Sequence, residues 1–330
     1  MLSYRHFLAA AVLAVLLIPA ALDAQTKPAA EKAVAAPAAP YKVPRTAWGD
    51  PDLQGMWTQF GVPDMEADEP DPVIRAAQEK AIATRYGPTA SADGRRAGSP
   101  FGGASNEVGR PRSPKLGEYL VVDQPDNRIP TLPGKRVFWN WFARGDSWTN
   151  HGKWERCMTK GIPEAYIIAG YSSGFQILQS PGVVSMLPEM IHDARFVYTD
   201  GRPALGESIR QWNGDPRGHW DGDTLVIETK NFNDKGQVLA GAELYIYQSD
   251  ALKVTERWKR VDAKTIHHEI RVEDPKTFSR PWTMRLAHTL DSGYVMYEYA
   301  CHESNYDYMT GSLTQGRLRD QQAAAKKSSN

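Results

Sequence analysis

From about residue 161 onward, short apolar runs separated by Gly, Ser, Pro and Asp dominate the chain. Residues 166–169, 175–178, 182–187 and 194–198 read as strands, and 254–261, 265–272, 282–290 and 294–300 continue the series. The clearest hairpin is Gly218-His219-Trp220-Asp221-Gly222-Asp223-Thr224-Leu225-Val226-Ile227-Glu228. There Asp221-Gly222 supplies a tight turn that needs positive φ, and Leu225, Ile227 and Thr229 alternate with Val226, Glu228 and Lys230. Asp262-Ala263-Lys264 and Asp291-Ser292-Gly293 are further tight connections. Short strands at regular spacing, with turn signals between them, point to an antiparallel barrel or sandwich. Before residue 161 the pattern differs. Asp71 as N-cap and Pro72 as first helical residue predict a helix over 72–86, ended by Gly87-Pro88. Two short aromatic-rich helices are expected over 135–144 and 147–160, and residues 94–114 form a loop by composition.

The first 24 residues read as a secretory signal. Arg5 and His6 precede an apolar run over 7–18, Pro19 breaks it, and Ala24 offers a cleavage site. The run is shorter than the ~20 residues that span a bilayer. Residues 25–44 are Ala, Pro and Lys and form a disordered linker. Residues 45–160 then supply a first strand, loops and cap helices that belong to one structural unit with a β region over 161–319, and 320–330 form a polar, frayed tail.

Lys plus Arg and Asp plus Glu both number 39, giving a formal net charge of zero. No nucleic-acid partner and no membrane anchor are suggested. Cys157 and Cys301 are the only two cysteines. In an oxidising compartment such a pair reads as a disulfide.

Two stretches are dense in polar residues although they adjoin apolar strands: Glu189-Met190-Ile191-His192-Asp193-Ala194-Arg195 and Tyr299-Ala300-Cys301-His302-Glu303-Ser304-Asn305-Tyr306. Taken as extended backbone, each sends alternate residues to opposite faces. Between them lies Arg210-Gln211-Trp212-Asn213, and Trp220 follows. These groups suit general acid–base chemistry, and equally suit an ion-pair network that pins loops. The catalytic candidates are His192 and His302 as acid–base groups, Glu189, Asp193 and Glu303 as their orienting carboxylates, and Tyr306 as proton donor. Arg195 and Arg210 are candidates for holding a carboxylate or oxyanion. Trp212 and Trp220 would form an aromatic wall, with Asn305 beside the substrate. His192, His302, Glu189 and Glu303 also allow a two-His, carboxylate metal site, but no tight His spacing supports it, so no metal and no cofactor is assigned. His267-His268 on a strand sends its rings to opposite faces and reads as a surface feature. Gly170-Tyr171-Ser172-Ser173-Gly174 matches a nucleophile elbow, but a strand follows where a helix is required.

Six segments taken in order, Pro51-Asp52-Leu53-Gln54-Gly55-Met56-Trp57, Trp154-Glu155-Arg156-Cys157, residues 189–195, Ser208-Ile209-Arg210-Gln211-Trp212, residues 218–228 and residues 298–306, resemble a large family of secreted bacterial proteins. The resemblance spans nearly all of the chain after the signal and implies a single structural unit; it carries no reaction. Gly55-Met56-Trp57 is also similar to the opening strand of lipocalin-like barrels. The expected fold is therefore mainly β: an antiparallel calycin-like barrel with an N-terminal loop and helix cap. The expected function is a periplasmic or secreted acid–base enzyme of lyase, hydratase or isomerase type acting on a small aromatic, terpenoid or sugar-derived molecule, anionic where Arg195 and Arg210 hold it, in the barrel mouth. A binding protein without chemistry, or a metal-dependent hydrolase, are the alternatives.

Overall fold

A computed structural model describes residues 41–58, 63–67, 110–138, 151, 153, 156–167, 172–191, 193–240 and 244–328. The signal segment and the helix expected over 72–86 lie outside these residues. The described part of 41–330 is mainly β and is built around a closed, mostly antiparallel nine-stranded barrel. Its strands are β1 (Gly55–Thr58), β3 (Gly174–Ser180), β4 (Val183–Pro188), β5 (Arg195–Tyr198), β6 (Asp215–Asp221), β7 (Thr224–Lys230), β10 (Lys253–Arg260), β11 (Thr265–Glu273) and β12 (Trp282–Leu290). Around the barrel they run β1-β12-β11-β10-β7-β6-β5-β4-β3, and β1 pairing with β3 closes it. Only β5 and β6 pair in parallel, through Tyr198 and Arg217. Three further strands, β2 (Arg136–Phe138), β8 (Gln237–Ala240) and β9 (Leu244–Tyr247), form a separate small sheet.

The period-2 alternation sets the inside of the barrel. On β10, Val254, Glu256, Trp258 and Arg260 are buried while their neighbours are not; on β11 the same parity holds for Ile266, His268, Ile270 and Val272. Trp57, Phe175, Ile177, Met186, Trp258 and Met284 meet inside with less than 2% of their surface exposed. Tyr166 reaches this core from a short 3-10 turn, Glu164–Tyr166, where the sequence pattern predicts a strand. Its ring packs edge-on against Phe175 and Trp258.

The hairpin of β6 and β7 forms as expected, one residue out of step: Asp221 pairs with Thr224, so Gly222 and Asp223 make the loop. Gly222 has φ +60° and Asp223 does not take positive φ, the demand of a turn with glycine at its first position. Five other expectations are corrected. Residues 136–138 are a strand, not a helix, and the described residues of 147–160 form turns rather than a helix. Residues 294–300 have no regular structure, and from Cys301 the chain turns into a long helix, α1 (Cys301–Ser328), which includes most of the presumed frayed tail. Val43, within the presumed linker, is 4% exposed, so packing begins before Arg45.

Cys157 and Cys301 are joined in a disulfide with a sequence separation of 144. Around it, Met190, Ile191 and Tyr299 form a small apolar cluster. The bond fastens the start of α1 to the turns before β3. Chain-entropy arithmetic for so long a loop gives on the order of 4–5 kcal/mol as an upper figure. The double variant Cys157→Ser/Cys301→Ser is expected to lose stability up to that amount in urea unfolding. A loss below about 1 kcal/mol would show that the loop is restrained by other contacts.

Candidate functional site

Inside the barrel a chain of polar side chains crosses five strands. Arg195 of β5 donates from Nη2 to Glu256 Oε2 of β10 at 2.5 Å and to Thr229 Oγ1 of β7 at 2.7 Å. His268 Nε2 of β11 lies 3.2 Å from Glu256 Oε1, and His268 Nδ1 lies 3.1 Å from His288 Nε2 of β12. None of these side chains is more than about 3% exposed. Trp258 stacks on the His268 ring at 3.6 Å between centroids, and Phe175 meets His288 edge-on at 4.8 Å.

The charge states follow from this geometry. Burial would raise the Glu256 carboxyl, but Arg195 and the His268 bond outweigh it and hold it down to about 2. Arg195 is pushed up by Glu256 against the cost of its own burial. Burial lowers His268 despite Glu256 beside it, and lowers His288 further with the help of His268. Both rings are therefore neutral at pH 7. Ionised Glu256 accepts only, so His268 donates from Nε2 and accepts at Nδ1, and His288 donates to it from Nε2. The His288 Nδ1 lone pair ends the chain with no hydrogen bond. This arrangement holds an ion pair in a dry core and fixes two tautomers; no side chain in it faces solvent.

A second cluster joins separate segments. The Tyr294 hydroxyl lies 2.7 and 2.8 Å from the two oxygens of buried Glu189. Arg110 donates from Nε to Asp291 at 2.9 Å and stands 3.7 Å over the Tyr294 ring. A third cluster is fully buried: Lys153 Nζ lies 3.0 Å from Glu164 Oε2, with Lys160 close by. Burial lowers Lys160 to about 8, with Glu164 opposing and Lys153 adding to the shift.

An open hollow of about 460 Å³ lies elsewhere, lined by Arg210, Trp212, Asn233, Asp234, Lys235 and Asp250. Arg210 donates from Nη1 to the Asp250 carbonyl at 2.7 Å, and Lys276 Nζ lies 2.6 Å from Asp250 Oδ1. That Lys276 bond lowers the Asp250 carboxyl. Arg156 stands 5.5 Å from the Trp212 ring centroid.

The residues singled out in the sequence fall in different places. His192 lies outside the described residues. Residues 189–191 form a turn, with Ile191 at φ 66°, rather than extended chain. That turn does meet the start of α1, through Met190, Ile191 and Cys301. His302 and Glu303 are exposed on α1, and Tyr306 is 66% exposed there. Asn305 donates toward both disulfide sulfurs at 3.3 Å. Asp193 accepts from Asn213 at 2.5 Å. Arg195 is engaged inside the barrel, Trp220 packs on the core from β6, and Arg210 and Trp212 come together in the hollow. His268, read as a surface residue, is instead completely buried, because its parity matches Ile266 and Ile270. His288 and Glu256 were missed; each shares the parity of large apolar neighbours, and that signal was available. Ser173 and Gly174 lead into β3, which rules out a nucleophile elbow at Ser172. Among the described residues, no group of three His, Cys, Asp or Glu side chains is placed to hold a metal ion.

Fold and sites together define a closed β-barrel with a sealed ionic core and an open polar hollow. The chain matches no family model, no curated protein and no solved structure.

Two predictions follow from the buried chain. Glu256→Gln leaves Arg195 uncompensated and is expected to cost about 3–5 kcal/mol in urea unfolding. The double variant Arg195→Met/Glu256→Leu is expected to cost less than that single change. A Glu256→Gln cost below about 1 kcal/mol would contradict the role given to the pair. For pH, the unfolded chain binds protons at histidine below about 6.5, whereas the folded chain keeps His268 and His288 neutral. Stability is therefore expected to fall between pH 7 and 5. It falls again below about 4.5 as unfolded Glu256 protonates while the folded group resists down to about 2. Thermal melts of the protein and of His288→Phe test this: the drop from pH 7 to 5 should shrink in the variant.

Proposed function

We propose that this is an exported binding protein that holds a small polar molecule in the hollow at Arg210 and Trp212, with the barrel as its rigid support. The observation that carries this reading is the convergence of Arg210 and Trp212 in one hollow of about 460 Å³. Small-molecule pockets commonly fall in the range of roughly 300–1,000 Å³ and combine an apolar surface with a few aimed polar groups. The disulfide supports export, since such bonds persist in oxidising compartments. Binding is favoured over acid–base turnover for a chemical reason. Among the described residues the lining is Arg, Trp, Asn, Asp, Lys and Asp, with no imidazole. The neutral imidazoles His268 and His288 are sealed in the barrel, and His302 faces solvent.

The test is ligand-observed NMR with a defined panel of neutral sugars, sugar acids, amino acids and aromatic acids. At least one member is expected to bind, and Trp212→Ala, checked for folding by circular dichroism, should weaken it at least tenfold, about 1.4 kcal/mol. If no member binds, or if Trp212→Ala and Arg210→Ala leave binding unchanged, the reading is wrong.

A further inference from the structure

The lining of the hollow says more about its occupant. Its described residues include two cations, Arg210 and Lys235, and two carboxylates, Asp234 and Asp250, so the two signs balance in number. Arg210 is bonded to the backbone of Asp250, and Lys235 follows Asp234 in the chain. Asp250 is kept ionised by Lys276. An anionic ligand would meet Asp234 and Asp250 along with the two cations, and a cationic ligand would meet Arg210 and Lys235.

What matches such a surface is a neutral molecule that donates and accepts at many points. The side chains offer both roles. Arg210 keeps donors beyond the one given to Asp250, and Lys235 adds an ammonium. The carboxylates of Asp234 and Asp250 accept. Asn233 has its side-chain oxygen engaged by the Lys235 amide at 3.0 Å, which fixes its amide group in place. Trp212 adds a flat apolar surface, and Arg156, which is not part of the lining, covers the ring from elsewhere. A pyranose has one face of C–H groups and a rim of hydroxyls, each able to donate and accept. Its face suits the indole and its rim suits the charged groups.

Resting on the binding reading above, we propose that the hollow takes a neutral hexopyranose unit, free or at the end of a glycan. The panel separates this from the parent reading. Glucose, galactose, mannose and their disaccharides are expected to bind the full chain. Glucuronate, galacturonate and phenylalanine should bind at least tenfold more weakly. Affinity for the neutral sugar should change less than twofold between 50 and 500 mM NaCl, because no net charge is neutralised. Trp212→Ala should abolish the signal and Asp234→Asn should weaken it. If a sugar acid or amino acid binds best in a Trp212-dependent and salt-sensitive way, the hollow is a binding site and the neutral-sugar inference is overturned. If no probe binds in a Trp212-dependent way, both readings fail.

Discussion

The ion pair between Arg195 and Glu256 is the constraint around which the barrel interior is arranged. Arg195 stands on β5 and Glu256 on β10, so the contact reaches across the barrel, where backbone pairing does not reach. In a dry core two charges survive only if they meet, and further hydrogen bonds offset part of the cost of their burial, although Arg195 Nε and Nη1 make none. Thr229 takes a second contact from Arg195, and His268 takes the second oxygen of Glu256. Ionised Glu256 in turn dictates the tautomer of His268, and His268 that of His288. The positions of β5, β7, β10, β11 and β12 are thus tied to one charge-compensated group. Such a pair adds little net stability relative to apolar residues, but it penalises any strand register that separates its members.

The barrel centre is filled by buried side chains. Barrels of about eight strands are just wide enough to be filled by side chains or to hold one small ligand. Here the filling is heavy: Trp57, Tyr166, Phe175, Trp258 and Trp282 are all essentially unexposed. Trp258 stacks on one imidazole and lies parallel to the other, so the aromatic rings and the polar chain share the same space. Arg210, Trp212, the 233–235 turn and Asp250 line a hollow that lies elsewhere.

Much of the barrel was legible because strand alternation is a local signal. The strands from β3 to β7 and from β10 to β12 lie within a few residues of the runs read from the sequence. The errors have a common origin in competing local signals. Residues 136–138 carry aromatic density that reads as a helix face, yet they pair with β9. Residues 301–306 were read as extended chain, but the Gln- and Ala-rich stretch beyond favours a helix. β8 and β9 passed unnoticed because they are short and complete a small sheet with β2, a pairing that no local pattern announces.

The site was less legible, and the reason is physical. Polar density along the chain marks where charged groups are concentrated, not where they face. His302, Glu303 and Tyr306 were singled out for such density and stand exposed on a helix, while Glu256 and His288 sit on the buried parity of their strands and are linked inside through His268. A lone charged residue on the buried parity of a strand is the stronger sign, because it is tolerated there only with a partner. Applied to β11, β12 and β5, that rule selects His268, His288 and Arg195, while β10 carries two such residues, Glu256 and Arg260. Glu256 joins the first three in one chain inside the barrel, whereas Arg260 bonds to the backbone carbonyls of Asp52 and Ala263.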